Sequence, residues 1–112
     1  MTRITETAFI AGIEDLIAEL MSRRGENGGL RRRWHEALVA GYGRALALEG
    51  ERRQLHERQL QLAGRPELDT DALQELTGLA QREARLGRRE RELRALLKRL
   101  RSAALRPQGQ SH

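Results

Sequence analysis

The chain has 112 residues, of which 38% are hydrophobic, 3% aromatic and 33% charged, with a net charge of +5 and no cysteine. That is room for one domain and no more, and the absence of cysteine excludes disulfides, Cys-ligated zinc and thiol catalysis. No stretch approaches about 18 consecutive apolar residues, so no membrane span is expected. The first residues do not have the pattern of a signal peptide, and a cytoplasmic location is the expectation.

The first expected helix covers residues 5–22. Ala8, Phe9, Ile10, Ile13, Leu16, Ile17, Leu20 and Met21 recur at steps of three and four, which gives a wide apolar stripe. Its polar face carries Glu6, Glu14, Asp15 and Glu19, an arrangement that disfavours docking on an anionic membrane. Residues 25–29 read Gly-Glu-Asn-Gly-Gly and predict a flexible turn. A glycine-rich loop could also cradle phosphate, but the P-loop spacing and its Gly-Lys-Ser/Thr ending are missing.

Residues 30–63 read as one long helix. Trp34, Leu38, Gly41, Ala45, Leu48, Arg52, Leu55, Gln59 and Leu62 alternate in steps of four and three, a heptad seam with two polar interruptions. The Ala- and Gly-rich span from Ala37 to Gly50 predicts close backbone approach by another helix, since each glycine costs about 1 kcal/mol of helix propensity against alanine. Gly64 suits a position just past a helix end and Pro66 prevents continuation, while Asp69, Thr70 or Asp71 can cap the next helix. Residues 71–105 then form a second long helix, whose seam is Leu76, Leu79, Glu83, Leu86, Glu90, Leu93, Leu97, Leu100 and Ala104. Residues 107–112 are expected to be a disordered tail.

Two long helices joined by a short loop fold back antiparallel. The expected fold is therefore all-α: a long, coiled-coil-like antiparallel helical hairpin, with the shorter N-terminal helix packed on one end as a three-helix bundle, all within a single domain of residues 1–106. Folding about residues 66–68 brings Arg52 level with Glu83, the expected pair for fixing register.

Little here supports catalysis. His35, His56 and His112 are far apart in sequence, and none of Glu57, Glu67, Glu75, Glu83, Glu90 and Glu92 has the His three residues later that bundle metal sites use. No enzyme activity, cofactor or metal is expected. Two features could bind partners. Leu55, Leu62, Leu76, Leu79 and Leu86 form a candidate interaction seam for a partner helix or a second copy of the chain. Arg23, Arg24, Arg31, Arg32, Arg33, Arg94, Lys98, Arg99, Arg101 and Arg106 are expected to gather at the bundle end as a patch for an anion such as a nucleic-acid backbone. Lys98 is the only lysine, so an arginine bias of composition is the competing explanation for that patch. Trp34 near the patch sits at a seam position and is expected in the core, not stacked on a base.

No motif in the chain names a family. In general form the long Leu-seamed helices resemble small helical export chaperones of flagellar and type III secretion systems. The opening run, Phe9 to Met21, then Arg23-Arg24 and a Gly-rich turn into Leu30-Arg31-Arg32-Arg33-Trp34, is loosely similar to the helical small subunits of CRISPR effector complexes. The expected function is a helical protein-interaction module, as adaptor, chaperone or small subunit of a larger assembly. The alternative is a nonspecific nucleic-acid backbone binder within a nucleoprotein complex.

Overall fold

The turn between the two long helices shows how local chemistry delimits them. At its start the Gly64 N–H donates to the Leu60 carbonyl at 3.0 Å and the Arg65 N–H to that of Leu62 at 3.2 Å; Pro66 then has no N–H to continue the ladder. At its end the Asp69 carboxylate accepts the Ala72 N–H at 2.8 Å, and the Asp69 carbonyl accepts that of Leu73 at 3.0 Å. Of the three candidate caps, Asp69 is the one used, with Asp71 adding a second acid in the first turn.

The computed structural model describes residues 2–22 and 28–105, with side chains over 6–22 and 29–103. Helix α1 is Thr2–Ser22, α2 is Gly28–Ala63 and α3 is Thr70–Leu105. The described residues contain no strand. The fold is all-α, with α2 and α3 forming the expected antiparallel hairpin and α1 packing with them. α2 begins earlier than its pattern suggested, taking in Gly28 and Gly29, since glycine is tolerated at a helix start. Arg23, Arg24, Arg106, residues 25–27 of the expected turn and the tail lie outside the described residues.

The chain divides into two compact units, to each of which α2 and α3 contribute a segment. The bundle unit is Met1–Gly43 with Leu93–His112. Ile13, Leu16 and Ile17 of α1, Leu30 of α2, and Leu93, Leu96, Leu97, Leu100 and Ala103 of α3 form its buried core. Trp34 bridges two helices: its indole N–H donates to the Leu100 carbonyl at 2.9 Å. One heptad later Gly41 lies so close to α3 that a Cβ there would collide with the Leu97 side chain, which is the close approach that the small residues of α2 predicted. As Trp34 meets Leu100 and Gly41 meets Leu97, α2 and α3 run antiparallel here. Arg33 joins α1 to α2 through Glu19 at 2.8 Å.

The hairpin unit is Arg44–Glu92. It buries Ala45, Leu48, Leu62, Ala72 and Leu79, together with Glu90, which is only 8% exposed. Arg52 donates to Glu90 at 2.8 Å, Gln59 to Glu83 at 2.6 Å and Arg58 to Glu75 at 3.1 Å. Seven residues forward along α2, from Arg52 to Gln59, match seven residues back along α3, from Glu90 to Glu83.

This corrects the expected Arg52–Glu83 pair. Arg52 takes Glu90, and Glu83 takes Gln59, with the His56 imidazole 3.9 Å away. Helical side chains lean toward their own N-terminus. For Arg52 that direction is away from the turn, and the length of arginine carries the guanidinium to the next heptad of α3. Gly87 lies beside the guanidinium: a Cβ there would sit 3.4 Å from Arg52 Nε and 3.5 Å from its Cζ, ordinary contact distances. The Arg52 Nε is buried without a hydrogen-bond partner, so the pair fixes register with one donor left unsatisfied.

Candidate interaction surfaces

The candidate seam closes the hairpin on itself. Leu62 is fully buried and Leu79 buried, while Leu55, Leu76 and Leu86 are half-buried. These side chains hold the fold together and do not stand out toward a partner.

The outward apolar residues of the hairpin unit are others. Leu46 is 64% exposed and Leu60 61%, with Leu68 in the turn and Leu73 in the first turns of α3 also exposed. Leu46 and Leu60 are two heptads apart, with Arg53 midway, so all three fall on one stripe of α2. Ala45, Leu48, Arg52, Gln59 and Leu62 lie about a quarter to a half turn round the helix from that stripe, on the side toward α3. The sequence signal was present as a second period-seven repeat, but the stronger inward seam masked it. Arg53 on this stripe is held to Glu49 at 3.1 Å, which leaves the leucines as its unengaged members.

The basic residues expected in one patch separate into two groups. Arg31 and Arg32 on α2 and Lys98, Arg99 and Arg101 on α3 are exposed and make no ion pair among the described residues. The Trp34–Leu100 bond puts their segments at one level of the bundle unit. Arg33 is neutralised by Glu19, and Arg94 is half-buried and already engaged. Trp34 is half-buried with its N–H committed to α3, an arrangement that fixes the indole as packing rather than as a platform for a base.

No helix of the described chain is long and apolar enough to cross a membrane. Among the described residues no three His, Asp or Glu side chains come together as a metal site. Comparison of the chain with protein-family models, with curated proteins and with solved structures finds no match.

Proposed function

We propose that the protein is a helical interaction module that docks a partner helix, from a second copy of the chain or from another protein, on the outward face of α2 in its hairpin unit. The observation that carries this reading is the pair Leu46 and Leu60, large apolar side chains more than 60% exposed and two heptads apart. A surface helix of a self-sufficient fold puts polar residues there; leucines at that period suit a helix laid alongside.

Sedimentation velocity over a range of concentrations tests the reading. Wild-type chain is expected to associate, and the double variant Leu46→Glu, Leu60→Glu to remain monomeric with unchanged helical circular dichroism. Association of the variant as strong as that of wild type would overturn the reading. A monomeric wild type would confine it to a different protein as partner.

A second reading, a nonspecific binder of nucleic-acid backbone, is favoured by the cations of the bundle unit that make no ion pair among the described residues. Changing Arg31, Arg32, Lys98, Arg99 and Arg101 to Gln is then expected to weaken binding of labelled duplex DNA and to flatten its salt dependence. Unchanged affinity and slope would remove that patch from the reading.

A further inference from the structure

In the sequence, residues 82–92 look charge-mixed: Arg82, Arg85, Arg88, Arg89 and Arg91 alternate with Glu83, Glu90 and Glu92. The structure sorts the signs. Glu83 and Glu90 turn toward α2, where Gln59 and Arg52 take them up. At 3.6 residues per turn, Arg82, Arg85, Arg88 and Arg89 fall within about a third of the helix circumference, away from that contact. Arg82, Arg85 and Arg88 are exposed and Arg89 half-buried, and none of the four is in an ion pair among the described residues. Glu92 is the single exposed acid of the segment.

We infer that this arginine ridge on α3 of the hairpin unit binds the phosphate backbone of a nucleic acid. The inference rests on the second reading above for the kind of ligand, and it assigns the main contact to residues of the hairpin unit and not to the cations named for the bundle unit. Three arguments carry it. Like charges at spacings of three and four destabilise a helix, and Arg82–Arg85, Arg85–Arg88 and Arg85–Arg89 are three such pairs with no acid beside them to relieve the repulsion until Glu92. The side chains are all arginine, whose planar fork takes two phosphate oxygens at once. No large apolar residue is exposed between residues 82 and 92, whereas a folded protein partner is anchored by aromatic and apolar side chains at the centre of its interface. A surface offering only charge at helical spacing suits a polyanion read by its backbone.

The test compares the intact chain with the variant Arg82→Gln, Arg85→Gln, Arg88→Gln, Arg89→Gln, by fluorescence anisotropy of labelled random-sequence duplex DNA from about 50 to 200 mM salt. Glutamine has nearly the helix propensity of arginine, and circular dichroism checks that the variant folds. The expected result is binding by wild type and a salt slope in the variant flatter by about 0.9 per arginine removed. If the ridge variant keeps the wild-type slope while the bundle-unit variant loses it, the ridge is overturned and the backbone reading stands. If the intact chain does not bind at the low-salt end, both fall. Displacement of the DNA by polyglutamate at equal charge concentration would overturn the choice of phosphate in favour of an acidic protein.

Discussion

The bundle unit and the hairpin unit are built from segments of the same two long helices, yet they hold together by different means. Every buried side chain described in the bundle unit is apolar, from Ile13 to Ala103. The hairpin unit buries fewer leucines, takes in the carboxylate of Glu90 and ties its helices with Arg52–Glu90, Gln59–Glu83 and Arg58–Glu75. The number of helices explains the difference. Three helices enclose a core from all sides and desolvate it; two leave the edges of their seam in water, where long polar side chains keep part of their hydration and cost less to place. The bundle unit therefore depends on dry packing, and the hairpin unit on packing with polar register control.

The largest test of that contrast is a core truncation in each unit. Leu97 and Leu62 are both fully buried, and replacement of either by alanine is expected to destabilise by about 2–5 kcal/mol. Leu97→Ala should fall toward the upper end, since three packed helices collapse less easily onto the cavity than two. Urea denaturation followed by circular dichroism measures both. A larger loss for Leu62→Ala would contradict the assignment of the denser core to the bundle.

Next in size is the Arg52–Glu90 pair. Glu90→Ala leaves a guanidinium whose Nε already lacks a partner, and a loss of about 1–3 kcal/mol is expected. Replacing both members by leucine should be near neutral or stabilising, but should remove the polar pin that selects one register. The double variant is then expected to show more than one set of amide resonances for residues of the hairpin unit. A single sharp set would show that the leucines alone fix the register.

Single glycines test the packing on a finer scale, though they do not sort by unit: Gly12 and Gly43 of the bundle unit also have nothing within 4 Å of an added Cβ. At Gly41 a methyl group would overlap Leu97, a fully buried side chain with little room to move. Gly41→Ala is expected to cost about 1 kcal/mol, overpacking of about 1–3 kcal/mol being partly offset by better helix propensity. At Gly50 and Gly78 of the hairpin unit nothing lies within 4 Å of an added Cβ, so alanine there should stabilise by about 0.5–1 kcal/mol. Thermal melts of the three single variants give the signs directly.

Much of this fold is legible in the sequence, because steps of three and four mark helices and Gly64 with Pro66 marks where one must stop. The features that stayed hidden need a face or a direction that a linear pattern does not carry. The Arg52 partner depends on side chains leaning along the helix, so pairing by Cα level reached Glu83, one heptad short of Glu90. Leu46 and Leu60 stand beside the seam of Leu48 and Leu62 that the sequence already marks as inward, and only the structure shows how far they are exposed. The ridge from Arg82 to Arg89 was open to the sequence, because Glu83 and Glu90 already stand on the expected seam, but charge counted along the run and not by face looks balanced. The bundle-end patch was an expectation from charge alone, and the Arg33–Glu19 pair, which engages one of its members, was not legible because it brings together residues on two helices.

An effect of similar size is confined to one unit and is informative for that reason. Asp69 is the only acid shown holding the first turn of α3, through its carboxylate and the Ala72 N–H. Asp69→Ala is expected to cost about 1 kcal/mol, while Thr70→Ala, one residue into the helix, should change little. Loss of the cap frees the amides at the start of α3 and not those packed around Leu97. Hydrogen exchange should therefore quicken at Ala72 and Leu73, with protection at Leu96, Leu97 and Leu100 unaltered. Equal loss of protection at both places would mean that the hairpin and bundle units unfold as one cooperative structure, and that their different cores have no separate stability.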